Sequence, residues 1–127
     1  MILLDTDVLI EILRGREKAQ NWIQENSGLI YRIHAVSAME LVQGAENKRD
    51  LQKTIKFLET VKIEWPTEND FRLAYQLLVE NSLSYHVGVS DYLIAASCLN
   101  QNSSLLTFNL KHFSFIEGLQ VSSPYAR

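Results

Sequence analysis

The sequence predicts an α/β fold: one domain with a mostly parallel central sheet of four to five strands, flanked by helices. Short apolar runs alternate along the chain with segments that have the spacing of amphipathic helices, a pattern typical of such sheets. The first run, Ile2–Leu4, is apolar at every position, as strands buried on both faces of a parallel sheet tend to be. The 127 residues, 46% hydrophobic and 21% charged, have the size and composition of one globular domain. We therefore expect a single domain over residues 1–127.

The first third of the chain is predicted to contain two strands and two helices. The strand at Ile2–Leu4 is followed by a helix at Asp7–Leu13, which stops near Gly15, a residue favoured just after a helix C-terminus. A second helix is predicted at Lys18–Glu25. The next apolar stretch, Leu29–Val36, is predicted to hold the second strand.

The middle of the chain is predicted to be mainly helical. Helices are expected at Ala38–Gly44 and at Asp50–Thr60. A short strand is expected at Val61–Trp65, closed by Pro66. The segment Glu68–Asn81 has its apolar residues at helical spacing and is predicted to form an amphipathic helix.

The last third is predicted to contain an internal helix and the remaining strands. The segment Asp91–Asn100 is apolar almost all round, which indicates a helix enclosed by other elements. Strands are expected at Ser104–Thr107 and at Gln120–Ser122. In parallel sheets of this kind ligands bind beyond the carboxyl ends of the strands, so functional residues are expected there.

Charge and composition limit the function classes. A net charge of −3 and a pI near 5.6 disfavour a protein that holds nucleic acid by bulk positive charge. Any such contact needs a local basic patch or a bound cation. Cys98 is the only cysteine, so an intrachain disulfide is excluded and a reducing cytoplasm is the expected location. The strongly apolar stretch Tyr92–Leu99 is far shorter than the about 20 residues that span a bilayer, so we expect no membrane contact.

Four acidic or amide residues share one structural context. Asp5 ends the first strand, Glu40 follows the second apolar stretch, Asp91 opens the internal helix and Asn109 follows a late strand. Because a parallel sheet brings its strand ends and the neighbouring helix starts to one edge, these residues are candidates for one pocket.

Three carboxylates in one pocket need protons or a cation. Two unit charges ~4 Å apart repel by ~4 kcal/mol at an effective dielectric near 20. Oxygen-only ligands favour Mg²⁺ or Mn²⁺ over softer metals. Such a cation suits phosphodiester hydrolysis, since it lowers the pKa of a bound water and stabilises charge on the phosphoryl oxygens. It would also let an acidic protein bind RNA.

Some of these acids have a structural alternative. Asp7 and Asp91 could simply cap helices, because free N–H groups favour an acid in the first turn. Ser37 and Glu40 have the spacing of a capping box. Asp5 is harder to explain in this way, because Asp7 is already available as the cap.

The remaining polar candidates fall into two groups. The basic residues near the acids have a functional and a structural interpretation, whereas the cysteine and the histidines have a structural one. Arg14, Arg16 and Lys18 lie close to the acids in sequence and are candidates for RNA contact, or form only a solvated turn. Cys98 is interpreted as a packing residue. The histidines lack metal-ligand spacing and are interpreted as surface or packing residues: His34, His86 and His112.

Four stretches, taken together and in order, resemble the PIN-domain ribonucleases, most closely the VapC-type toxins of bacterial and archaeal toxin–antitoxin pairs. "LLDTDVLIEIL" is similar to the opening signature and places the first metal-binding acid at Asp5, with a hydroxyl residue at Thr6. "VSAMELVQGA" resembles the second motif and places an acid at Glu40. "SDYLIAA" resembles the third and places an acid at Asp91.

The fourth stretch departs from the family pattern. "LLTFNLKHF" is similar to the fourth motif, with Thr107 and Asn109 at its polar positions. Many family members have Asp where this chain has Asn109, and an amide is a neutral ligand. Asp7 occupies a position that varies among relatives and is expected to support the site by adding charge.

The resemblance implies a PIN-like fold and an Mg²⁺- or Mn²⁺-dependent endoribonuclease. Asp5, Glu40 and Asp91 would hold the metal and orient the attacking water, with Asn109 in support. The resemblance also implies a homodimer and a cognate antitoxin, whose tail packs into a groove leading to the acids.

Two other functions fit parts of the sequence. Four apolar residues followed by Asp5-Thr6-Asp7 also resemble the start of haloacid-dehalogenase-type phosphatases, with "SLLTFN" as the threonine motif. Val8 stands where those enzymes usually have Gly, and no acidic pair follows Asn109. A non-catalytic PIN-like module that binds RNA or protein is the other alternative, although such a module would be expected to lack the acids.

Overall fold

The structure is a computed structural model that describes all 127 residues. Five strands form one sheet: β1 (Ile2–Leu4), β2 (Tyr31–His34), β3 (Lys62–Glu64), β4 (Ser104–Leu106) and β5 (Val121–Ser122). Six helices flank it: α1 (Thr6–Leu13), α2 (Glu17–Glu25), α3 (Ala35–Gln43), α4 (Lys48–Glu59), α5 (Glu68–Asn81) and α6 (Val89–Gln101). The predicted α/β class with a flanked parallel sheet is confirmed. No helix has the length and apolar character needed to cross a membrane.

The strand order places the end of β1 at the centre of the sheet. The order is β3-β2-β1-β4-β5 and every neighbouring pair is parallel. In register, Leu4 of β1 lies opposite Ile33 of β2 and Leu106 of β4. All carboxyl ends therefore meet at one edge, and β1 lies where the order of strands reverses, which is the usual ligand position in such sheets.

Hydrophobic cores on both faces of the sheet explain why β1 is apolar throughout. Leu4 packs in a cluster with Val8 of α1 and Ile33 of β2. Its neighbour Leu3 belongs to a second cluster with Ile94 of α6. Because successive residues of a strand point to opposite faces, both leucines are needed to bury β1 from two sides.

The boundaries around β2 differ from the prediction. The second strand lies within the predicted stretch Leu29–Val36, over Tyr31–His34, but α3 begins at Ala35 and not at the predicted Ala38. His34 caps this helix: its Nδ1 accepts a hydrogen bond from the Val36 amide at 3.0 Å. Histidine is not among the residues that usually announce a helix start, so the pattern indicated a later one.

The structure confirms the predicted internal helix and the packing role of its cysteine. In α6 every side chain from Tyr92 to Cys98 is buried. Burial raises the pKa of the Cys98 thiol to about 12, which keeps it protonated. Cys98 is thus a packing residue, as expected.

A buried polar network joins α5, α6 and β2. The Asp70 carboxylate accepts hydrogen bonds from Ser97 Oγ and Asn100 Nδ2, both at 2.8 Å, and from the Thr67 amide at 3.0 Å. His34 Nδ1 accepts from a backbone amide, so its Nε2 carries the proton and donates to Ser97 Oγ at 2.9 Å. Burial alone raises the pKa of Asp70, but these hydrogen bonds outweigh it and hold the pKa below its usual value. The acid is ionised and fully paired.

Candidate active site

Asp5 lies at the carboxyl end of β1 and is held from two sides. Its side chain is 8% exposed. Oδ1 accepts from the Thr6 amide at 2.8 Å, and Oδ2 accepts from Thr107 Oγ1 at 2.8 Å. Asp5 is therefore the N-cap of α1. The alternative in which Asp7 caps this helix holds only in part: α1 begins at Thr6, so Asp7 is not the N-cap but the acid of its first turn.

Asp7 connects α1 to the segment after β4. Its Oδ2 accepts a hydrogen bond from the Phe108 amide at 3.0 Å and lies 3.4 Å from Thr107 Oγ1. Its Oδ1 is buried and has no hydrogen-bond partner. An unpaired buried carboxylate oxygen is costly, and it fits a site that a cation completes.

Burial and neighbouring acids make ionisation of Asp5 unfavourable. Burial, the Asp7 charge and the Asp91 charge together raise the pKa of Asp5 to about 6, against the opposing hydrogen bonds from Thr107 and Thr6. Burial also raises the pKa of Asp7. A cation beside Asp5 would offset the free-energy cost of ionising this carboxyl.

Glu40 is linked to this pair through Thr6. Thr6 Oγ1 donates to Glu40 Oε1 at 3.1 Å, and the glutamate is otherwise exposed on α3. The capping-box interpretation of Ser37 and Glu40 was wrong. Because α3 begins at Ala35, Ser37 lies buried within the helix and cannot be its N-cap.

Asp91 is the third residue of α6 and is paired with His112. The N-cap of α6 is Gly88, so Asp91 is not the capping residue. His112 Nδ1 lies 2.9 Å from Asp91 Oδ2, on a short 3₁₀ helix at Leu110–His112. The interpretation of His112 as only a surface or packing residue missed this contact. No local signal indicates it, since the contact depends on how the chain folds back after β4.

The two polar residues after β4 differ in their roles. Thr107 is fully buried and its hydroxyl binds Asp5. The backbone N–H of Asn109 donates to Thr107 Oγ1 at 3.0 Å. The Asn109 side chain is exposed and has no hydrogen bond within the protein, so it is free to contact a ligand.

The three basic candidates near α1 lie in different environments. Arg14 lines a cleft of about 360 Å³ that also reaches Glu40. Arg16 Nε lies 3.6 Å from a Glu11 carboxylate oxygen. Lys18 Nζ donates to the Ala126 carbonyl at 2.7 Å.

The fold thus gathers most of the predicted polar residues at one edge of the sheet. Direct contacts run from Glu40 through Thr6 to Asp5, and from Asp5 through Thr107 to Asp7. No three side chains of the His, Cys, Asp and Glu types converge as a complete metal-holding group. The donors are all oxygens, and Mg²⁺ is usually held by one or two carboxylates together with waters and substrate phosphates. The residues present therefore fit a hard divalent cation that binds with water and substrate.

Comparisons with known proteins agree with the geometry. The family model described as the PIN domain matches residues 2–117. Ribonuclease VapC10 of Mycobacterium tuberculosis is 33% identical over 129 residues, which cover 99% of this chain and 94% of that protein.

Two solved structures have the same fold. One, described as a toxin-antitoxin complex from Klebsiella pneumoniae, matches with a TM-score of 0.79 at 26% identity over 100% of both chains. The other, VapBC-1 from nontypeable Haemophilus influenzae, matches with a TM-score of 0.79 at 25% identity over 98% of both chains. Nothing in these matches supports the phosphatase alternative. The chain belongs to the PIN-domain family and, within it, to the VapC-type ribonucleases.

Proposed function

We propose that this VapC-type toxin endoribonuclease hydrolyses RNA with a divalent cation, Mg²⁺ or Mn²⁺, held by Asp5 and Asp91 with Glu40. The observation that carries the proposal is the Asp5 carboxyl, which is buried, shares the Thr107 hydroxyl with Asp7, and has its pKa raised to about 6 by burial and by the charges of Asp7 and Asp91. A buried group that is costly to ionise and has no cationic side chain bonded to it is a typical metal ligand.

The surrounding residues hold the acids in fixed orientations. The Thr6 amide and the Thr107 hydroxyl each bind one oxygen of Asp5. His112 binds one oxygen of Asp91. Such outer contacts orient metal ligands and strengthen binding.

Glu40 and Asn109 are available to the substrate and the attacking water. Glu40 is exposed, and only its Oε1 is engaged, by Thr6. We assign it the role of orienting the attacking water, with Asn109 supporting the phosphodiester through its free side-chain amide. When bound, a divalent cation would lower the pKa of that water and stabilise the charge on the phosphoryl oxygens.

The cleft beside Glu40 is the proposed position of an antitoxin segment. It lies between α1, α3 and α4 and is lined by apolar Ile10, Leu13 and Leu41 as well as by polar residues. A chain bound there would reach Glu40 and hinder access to the acids. One of the structural relatives is described as a toxin-antitoxin complex and the other as VapBC-1, which supports an antitoxin as a partner. A homodimer remains a prediction of the family resemblance.

RNA cleavage tests the proposed function. The purified protein and its Asp5→Ala variant would be incubated with total RNA in Mg²⁺, in Mn²⁺ and in EDTA. Glu117→Gln serves as a control, because Glu117 is an exposed acid without hydrogen-bond partners. We expect cleavage by the wild type and the control with either metal, and none by Asp5→Ala or in EDTA.

Two results would contradict the proposal. Equal cleavage by the wild type and Asp5→Ala would exclude Asp5 from the chemistry, and cleavage that persists in EDTA would exclude the cation. Release of phosphate from a small phosphomonoester, without RNA cleavage, would favour the phosphatase alternative instead.

A further inference from the structure

The segment Tyr125–Arg127 packs against the residue that follows the active-site threonine. The Tyr125 ring lies edge-to-face on Phe108, with centroids 5.1 Å apart. The guanidinium carbon of Arg127 lies 4.5 Å from the centre of the same Phe108 ring. Lys18 also holds the segment, by its hydrogen bond to the Ala126 carbonyl. Three contacts therefore position Arg127.

Phe108 places this arginine next to the acids. The Phe108 amide donates to Asp7 Oδ2 at 3.0 Å, and the preceding residue, Thr107, binds Asp5.

The guanidinium itself has free hydrogen-bond donors. Arg127 is exposed, forms no salt bridge with a carboxylate and donates no hydrogen bond within the protein. The ring beneath it restricts its orientation without using its N–H groups. An arginine held in this way is suited to bidentate binding of a phosphate, because its planar donors match two phosphate oxygens.

We propose that Arg127 binds a backbone phosphate of the RNA beside the phosphodiester that is cut. This inference rests on the proposed function for its substrate. The net charge of −3 and the clustered acids repel RNA, so a local cation is needed to bring the backbone to this edge.

Two other basic residues near the acids are less available. Arg16 lies against Glu11, and Lys18 is occupied by the Ala126 carbonyl. Arg14 also has no ion pair or hydrogen bond, and it lines the cleft that reaches Glu40. Arg127 combines free donors with a ring contact that fixes the position of its guanidinium. It therefore acts in substrate binding, whereas Lys18 acts through the segment it holds.

RNA binding measured without cleavage tests this role. A fluorescent single-stranded RNA would be titrated with the Asp5→Asn protein, alone and combined with Arg127→Ala, Arg127→Lys or Arg72→Ala, and followed by anisotropy at several salt concentrations. Arg72 is an exposed arginine of α5 paired only with Glu68, so its removal changes the net charge equally. Thermal melts would confirm that each variant is folded.

The expected results separate charge from geometry. For Arg127→Ala we expect a Kd about five- to tenfold higher and a salt slope shallower by about 0.7, the value for one lost phosphate contact on a single strand. Arg127→Lys keeps the charge and should retain the slope, with a smaller loss of affinity. In cleavage assays without the Asp5 substitution, Arg127→Ala should raise KM and leave kcat nearly unchanged.

Other results would overturn the inference. An Arg127→Ala protein with the same Kd and salt slope as Arg72→Ala, or a parent protein that does not bind RNA, would exclude this role for Arg127. Failure of the proposed function is recognised separately, because the wild type would then not cleave RNA in Mn²⁺, whatever the effect of Arg127 on binding.

Discussion

Replacing Asp5 with asparagine should stabilise the metal-free protein while it abolishes cleavage. The new amide side chain can keep the local hydrogen bonds: its Oδ1 accepts from the Thr6 amide, and its Nδ2 donates to Thr107 Oγ1, whose proton then turns towards Asp7. What is lost is a buried charge. The shift of the Asp5 pKa from 3.8 to about 6 corresponds to at most ~3 kcal/mol of folding free energy at neutral pH.

The upward shift of the Asp5 pKa determines how the stability difference between the variant and the wild type depends on pH. The folded state holds the Asp5 proton more tightly than the unfolded state, so wild-type stability falls as the pH rises from about 4 through about 6. The asparagine of the variant does not titrate. The stability difference between the variant and the wild type should therefore be small at pH 4 and fully developed above pH 7.

Thermal unfolding in EDTA measures the difference. At pH 7.5 we expect the Asp5→Asn protein to melt above the wild type by at most about 9–15 °C, given about 3–5 °C per kcal/mol for a domain of this size. Mn²⁺ should raise the melting temperature of the wild type and leave that of the variant nearly unchanged. Glu117→Gln removes an exposed charge and should change little.

A variant that melts below the wild type at pH 7.5 would refute this reasoning. So would a stabilisation of equal size at pH 4 and pH 7.5, because it could not come from the Asp5 charge.

Three further substitutions test other contacts. Ser97→Ala removes a buried hydrogen bond to Asp70 and should lower the free energy of unfolding by roughly 2–3 kcal/mol in urea titrations; an unchanged midpoint would contradict it. His112→Asn should weaken Mn²⁺ binding to the metal-free protein about tenfold in calorimetric titration, because His112 orients Asp91; unchanged affinity would exclude this role. Lys18→Ala should weaken RNA binding when Arg127 is present but not in the Arg127→Ala background, because Lys18 acts by holding the segment Tyr125–Arg127. An equal loss of affinity in the Arg127→Ala background would instead indicate that Lys18 contacts a phosphate directly.

The fold was predictable from the sequence because its signals are local. All five strands lie within the predicted stretches, β1 is apolar throughout, and Gly15 follows α1 as expected, with φ at +67°. The errors lie at helix starts. His34 and Gly88 precede α3 and α6, and neither offers the usual side-chain oxygen that marks an N-cap.

The site was predictable only as a set of residues at strand ends. The positions of Asp5 and Asp91 follow from the parallel sheet, whereas the contact of His112 with Asp91 depends on the path of a turn. The buried Asp70 was missed, although its spacing from Thr67 is that of a capping box, which the structure contains. Its burial by α6 is a tertiary effect that no local pattern indicates.

The most direct test of a cation held by the acids is a crystal structure grown with Mn²⁺, in which anomalous scattering locates the metal. We expect a peak about 2.0–2.2 Å from a carboxylate oxygen of Asp5 and one of Asp91, within reach of Glu40 directly or through water. Crystals with Mn²⁺ in excess but no peak beside Asp5, or a peak only at another part of the surface, would contradict the proposed metal site.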